Sequence, residues 1–176
     1  MSTYQAKLYQ ASSPNAEYMG GLVMSFAHNL RADAIQPILA KHGFEHIDPT
    51  AWYPQQQVLD VFRDIESRFS FEELVAVGMG TAELNPLPPQ FNTIESVIVA
   101  ADAIYKSGCR NTDPAEGMVV NKIGDRHYQI TYNIPLPPFS VYGVLYGLIR
   151  QVKSKHDEPR IHLVKRDTPA VMEIKW

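Results

Sequence analysis

The chain has 176 residues, enough to bury a core without staples and too few for two full-sized domains, so a single domain over 1–176 is expected. Hydrophobic residues at 45% and charged residues at 20% lie in the globular range and exclude a disordered or fibrous chain. The formal net charge of -3 lacks the basic excess that phosphate-backbone binding draws on, which argues against nucleic acid as a partner.

The lone cysteine, Cys109, cannot close an intrachain disulfide or build a thiol metal cluster, and a reducing, cytoplasmic setting is expected. The longest apolar stretch, Met19 to Leu30, is interrupted by Ser25, His28 and Asn29. It falls well short of the roughly 20 apolar residues a membrane-spanning helix needs. Met1 to Ala11 contains no apolar run followed by small residues, so no cleaved signal peptide is expected.

In chain order, Ser12-Ser13-Pro14-Asn15 punctuates a short lead-in. From Ala16 to His42 the positions Met19, Leu22, Val23, Phe26, Leu30, Ala34, Ile38 and Leu39 recur at threes and fours, a helical stripe. Pro37 predicts a kink there, or two helices meeting near Arg31 to Gln36, and Gly43 suits a helix C-terminus. Trp52-Tyr53-Pro54 introduces a helix whose apolar face is Val58, Leu59, Val61, Phe62 and Ile65. Ser70 and Glu73 have capping-box spacing, predicting a short helix from Phe71 to about Met79. Asn85 to Pro89, with three prolines, is a connection, and a further helix is expected from about Thr93 to Ser107.

After Gly108 the pattern changes from helical to alternating. Gly117 to Lys122 and His127 to Asn133 read as strands joined by Gly124-Asp125. Prolines 135, 137 and 138 stop the second strand and introduce an apolar helix from Phe139 to Val152. Strands from Arg160 to Val164 and from Ala170 to Trp176 follow, joined by Asp167-Thr168-Pro169. The expected fold is therefore α+β: N-terminal helices, about 16–108, packed on a C-terminal antiparallel sheet, about 116–176, of strand-strand-helix-strand-strand order.

Catalytic constellations are mostly missing. Gly20-Gly21 and Gly78-Met79-Gly80 lack the spacing of a phosphate-binding loop and read as close packing. His42 and His46 are separated by a helix-breaking glycine and read as surface histidines at a helix end, and Asp60 with Asp64 as a solvated acidic face. No nucleophile and base can be paired, so an enzyme is not expected. Aromatic side chains are plentiful, with nine tyrosines, seven phenylalanines and two tryptophans. Trp52, Tyr132, Tyr142 and Tyr146, whose polar tips need partners if buried, are candidates for a pocket wall, together with His28 beside the first helix's stripe.

The stretch Tyr132-Asn133-Ile134-Pro135-Leu136, then Tyr142-Gly143-Val144-Leu145-Tyr146-Gly147-Leu148-Ile149, then the closing Glu173-Ile174-Lys175-Trp176, resembles the end of the heme nitric oxide/oxygen binding (H-NOX) domain. Lys41-His42-Gly43-Phe44 through Trp52-Tyr53-Pro54 extends the likeness toward the N-terminus. The 4-vinyl reductase-like domains and the TRAPP vesicle-tethering subunits are related modules with the same helical and sheet halves. The resemblance implies a ligand-binding module. It also implies a proximal histidine on the helix before the sheet and a Tyr-x-Ser-x-Arg motif for the heme propionates. Here Tyr132 matches the tyrosine, but Ile134 and Leu136 stand at the serine and arginine positions, and no histidine lies between His46 and His127.

These departures lead to the expectation of no cofactor, with heme disfavoured and no metal. The expected function is a non-enzymatic sensory or carrier module that binds a small hydrophobic molecule in an apolar pocket and is linked to bacterial-type signalling through a partner protein. A homodimer is expected. An alternative is a dimeric interaction or scaffold module with a solid core, in which Val141, Leu145 and Leu148 form an exposed interface. A third reading is a heme gas sensor using an unconventional ligand, His28 or Cys109.

Overall fold

The computed structural model describes residues 4–176. Seven helices and seven strands are found among them. The N-terminal stripe is two helices, α1 (Gly20–Asn29) and α2 (Ala32–Lys41), which meet at the edge of the expected Arg31 to Gln36 join, and its first residues are instead a strand, β1 (Glu17–Met19). The chain breaks at Leu30 and Arg31, whereas Pro37 is accommodated inside α2. Gly43, at φ +78, follows the end of α2 in the left-handed conformation that glycine adopts without steric cost.

Trp52–Pro54 is extended as β2, and α3 (Gln55–Glu66) begins directly after its proline. Ser70 and Glu73 form the reciprocal capping box at the start of α4. This helix runs on through its two glycines to Leu84 (Phe71–Leu84) because packing against a neighbouring helix outweighs their low propensity. The expected helix from Thr93 to Ser107 is two short ones, α5 (Ile94–Val99) and α6 (Ala101–Ser107), hinged at Ala100. Thr93 caps α5 through a capping box completed by Ser96.

β3 (Cys109–Arg110) joins β1 and β2 in a small antiparallel sheet of order β2-β1-β3. A second antiparallel sheet, of order β4-β5-β7-β6, consists of β4 (Gly117–Gly124), β5 (His127–Asn133), β6 (Arg160–Lys165) and β7 (Ala170–Lys175), with α7 (Pro138–Val152) between β5 and β6. The α+β reading and the order of the second half are as expected from the sequence.

Alternation decides which side of this sheet is covered. Tyr128, Ile130 and Tyr132 on β5 pair across the ladder with Ile174, Met172 and Ala170 on β7, and all six are buried. Met118 and Val120 on β4, and Ile161 and Leu163 on β6, extend the same face. One hydrophobic core joins this face to Val58, Phe62 and Ile65 of α3 and to Leu145 and Ile149 of α7.

α4 crosses α7 at backbone distance. A Cβ added to Gly143 would lie 2.2 Å from the Val75 carbonyl oxygen, and one added to Gly78 would lie 2.1 Å from that of Ser140. The two helices therefore meet glycine against main chain.

Candidate functional site

Between the α4–α7 pair, α6, β1 and the segment leading into α7 lies a cavity of ≈ 390 Å³, a size proteins use for small organic ligands. Its wall is almost wholly apolar: Leu22, Phe62, Val77, Ile104, Met118 and the α7 side chains contribute most of it, and among the described residues no Lys, Arg, His, Asp or Glu lines it. Val141, Leu145 and Leu148 are buried and form part of this wall. The scaffold alternative, which left them on an exposed interface over a solid core, is corrected by that arrangement. Their stripe on α7 faces inward.

Polar groups gather at one end. β1 pairs with β3 so that Tyr18 stands opposite Cys109. The Tyr18 and Tyr105 rings meet edge to face at 6.4 Å, with their phenol oxygens 3.0 Å apart. Tyr18, Tyr105 and Cys109 all line the cavity.

Behind them lies Glu116, only 1% exposed. Its Oε1 accepts from the Tyr105 hydroxyl and, at 2.9 Å, from Gln55 Nε2. The backbone N–H of Ser12 donates to Gln55 Oε1 at 2.8 Å, which fixes the amide with its NH₂ toward Glu116. A turn in which Ala115 N–H donates to Asp113 Oδ1 carries Glu116 inward.

Burial pushes the Glu116 carboxyl above its ordinary range, against the opposing pull of its hydrogen-bond donors. Burial likewise drives Tyr18 and Tyr105 well above 10 and pushes the Cys109 thiol up to about 12. The phenols and the thiol facing the cavity therefore stay protonated at neutral pH. A protonated thiol is a poor nucleophile, and among the described residues no three His, Cys, Asp or Glu side chains cluster as a metal site.

Among the described residues, buried hydroxyls without a hydrogen-bond partner include those of Ser140, Tyr132 and Thr168. Ser140 lines the cavity and Tyr132 does not. Ile134 and Leu136, two and four residues beyond Tyr132, do line it and present methyl groups to it.

None of the five residues singled out as pocket candidates is on the cavity wall. His28 is exposed on α1. Trp52 is half-buried beneath the Arg110 guanidinium, 4.6 Å from its ring centre. Tyr132 is buried in β5, and burial raises the pKa of its phenol. Tyr142 and Tyr146 stack on one another along α7, 6.3 Å apart and 8° from parallel.

His42 and Asp64, read as surface groups, instead join two helices. Asp64 Oδ2 lies 2.6 Å from Lys41 Nζ and 2.9 Å from His42 Nε2. Sequence reasoning missed Gln55 and Glu116. The only signal for Glu116 is an acidic residue placed just before the first sheet strand.

No protein-family model matches the chain, and no curated protein does. Solved structures do match, among them three at 13–14% identity. An H-NOX protein from S. oneidensis in its Fe(II)NO ligation state superposes with a TM-score of 0.63 at 14% identity, over 89% of this chain and 98% of that one. An oxygen-binding H-NOX domain related to soluble guanylate cyclases, in its oxygen complex, gives 0.65 at 13%, over 89% and 91%. A structure solved to probe heme distortion in the H-NOX family gives 0.65 at 14%, over 89% and 92%.

The fold is H-NOX-like. The expectation of no cofactor, with heme disfavoured, is overturned by these matches, because the structures that share the fold are heme proteins. It rested on one missing histidine and one altered motif. Heme iron is also held by tyrosine or cysteine in other proteins, so the missing histidine does not by itself exclude heme.

Proposed function

We propose that the chain is a sensory module that binds a small, mainly apolar molecule between its helical half and its sheet, and passes that event on to a signalling partner. The observation that carries this reading is the apolar cavity of ≈ 390 Å³ inside a fold shared with ligand-binding sensors. Burying apolar ligand surface contributes about 25 cal/mol per Å², which makes such a wall a sink for hydrocarbon. Native mass spectrometry of the purified full chain, followed by solvent extraction, tests the proposal. Recovery of a hydrophobic molecule at near-equal stoichiometry is expected, and a preparation that carries none and takes up none would sink it.

Heme is the second reading, favoured by the comparisons and by one feature of the cavity. Tyr105 and Cys109, both of axial-ligand type, face it. When bound, heme supplies an iron centre for diatomic gases. This chain would hold the iron through one of those two side chains, deprotonated on binding, with Leu22, Val77 and Ile104 supplying apolar wall. Ile134 and Leu136 would give the propionates no cationic partner. Hemin titration separates the two readings: a Soret band that reaches one equivalent and moves in Tyr105→Phe or Cys109→Ala establishes heme, and a spectrum identical to free hemin leaves the apolar ligand.

A further inference from the structure

We infer that the ligand is an amphiphile held tail inward, with a hydrogen-bond-donating head, a hydroxyl or an amine, left at a mouth of the cavity beside Asn85. The inference rests on the cavity being the ligand site and adds the ligand's class and its orientation.

Exposure locates the mouth. Among the described residues that line the cavity, all are buried or half-buried except Asn85 and Ser107, which are exposed. A side chain that borders the cavity and also meets solvent stands where the two join. Asn85 is the C-cap of α4 and Ser107 is the last residue of α6, so the opening lies at the C-terminal ends of these helices. Gly21 of α1 faces Asn85: a Cβ added there would lie 3.4 Å from Asn85 Oδ1 and 3.8 Å from its Nδ2. The bare backbone at Gly21 leaves room beside the amide.

The polar side chains of the interior are spent on one another or on the main chain. Tyr105 donates to Glu116, and Tyr18 to Tyr105. Cys109 Sγ donates to Tyr105 O at 3.2 Å and Thr81 Oγ1 to Val77 O at 3.1 Å. The Ser140 hydroxyl is sealed within the wall. A polar group carried into this space would lose its hydration without compensation, whereas an alkyl chain is stabilised in proportion to the area it buries. The polar end of the ligand therefore stays at the opening.

The opening presents acceptors. Asn85 Nδ2 donates to Thr81 O at 2.8 Å, which turns the nitrogen back to its own helix and leaves Oδ1 with no donor among the described residues. Ser107 Oγ gives its proton to Ile104 O at 2.7 Å and keeps its lone pairs. Acceptor oxygens at the ends of both helices favour a head that donates. An anionic head finds no cation to hold it: the last turn of α4 has no basic residue, and Lys106 in the last turn of α6 is paired with Asp102 at 2.9 Å.

The test is calorimetric titration of the full chain near neutral pH with 1-octanol, octylammonium, octanoate and 1,8-octanediol, repeated on Asn85→Leu and Asn85→Asp. Both variants alter an exposed residue, and unfolding midpoints check that they fold. Octanol and octylammonium are expected to bind. Octanoate and the diol should bind at least about tenfold more weakly, the diol because its second hydroxyl must enter the apolar interior. Asn85→Leu should weaken octanol about three- to tenfold, the worth of one hydrogen bond, and Asn85→Asp should tighten octylammonium. If the diol binds as well as octanol, the tail-in orientation is overturned while the cavity stands. If octanoate matches octylammonium, or Asn85→Leu leaves octanol affinity unchanged, the donor head at Asn85 is overturned and the cavity again stands. If none of the probes binds, the cavity reading fails and this inference fails with it.

Discussion

The Tyr18 phenol donates to the Tyr105 oxygen across 3.0 Å, because Tyr105 has already given its proton to Glu116. The two tyrosines are therefore unequal members of one relay. Tyr105→Phe removes the donor to a buried carboxyl and strands the Tyr18 hydroxyl, and is expected to cost about 1–3 kcal/mol. Tyr18→Phe loses one bond and is expected to cost about 0.5–1.5 kcal/mol. Urea unfolding of both single variants and the double variant checks this: the double should cost less than the sum, and strict additivity would refute the relay.

Glu116 should make stability depend on pH. Its folded pKa is raised by burial, so the folded state holds a proton that the unfolded state has released. The stabilisation is complete below the unfolded value, about 4.3, and is lost as pH rises through the folded value. In Glu116→Gln the amide oxygen still accepts from Tyr105 and Gln55, and no proton is exchanged. The melting temperature of the variant relative to the parent should therefore climb as pH rises from about 4.3 and then level off. A difference flat across that range would contradict the assignment.

At the helix crossing, Gly143→Ala would drive a methyl to 2.2 Å from Val75 O, a main-chain atom with no freedom to retreat. α4 and α7 must part, at a cost of about 1–3 kcal/mol, and the cavity they wall should change shape with them. Gly108→Ala is the control. The nearest atom to its added Cβ lies 3.6 Å away, and the stability change should stay within about 0.5 kcal/mol. Chemical denaturation of the two variants side by side distinguishes a packing glycine from a permissive one.

Burial pushes Cys109 up to about 12, from 9.0, which lowers its thiolate population on the order of a thousandfold near neutral pH. Higher basicity makes the remaining thiolate more nucleophilic, so alkylation of the folded chain by iodoacetamide should be slower than that of the urea-unfolded chain by more than about tenfold. Equal rates in the two states would show that the thiol is not held as described.

Much of the architecture is legible because its causes are local. The three-and-four spacing of Val58, Phe62 and Ile65 and the alternation of Tyr128, Ile130 and Tyr132 each announce one element and its buried face. Ser70 with Glu73, and Gly43, mark helix ends by chemistry that acts within one turn. β1, β2 and β3 escape such reading because strands of two or three residues are too short to alternate.

The site is harder still, since its wall draws single residues from many elements. On α7 the aromatic pair Tyr142 and Tyr146 attracts attention, whereas the cavity is lined by their neighbours Val141, Val144 and Leu145. Glu116 sits after Asp113-Pro114-Ala115, which reads as a solvated turn. Only the folded chain reveals that Gln55, from a position 61 residues earlier, meets it in the interior.

The small sheet also gives the protein an optical signal of its own. Met19, on the cavity wall, stands opposite Trp52 in the ladder, and Arg110, directly after Cys109, covers that indole. The second tryptophan, Trp176, is stacked on Tyr128 at the other sheet, with ring centres 5.8 Å apart. A molecule wedged beside Met19 and Cys109 would perturb one emitter and leave the other as an internal reference. Occupancy could then be followed by intrinsic fluorescence without any label, and Trp52→Phe should abolish the response.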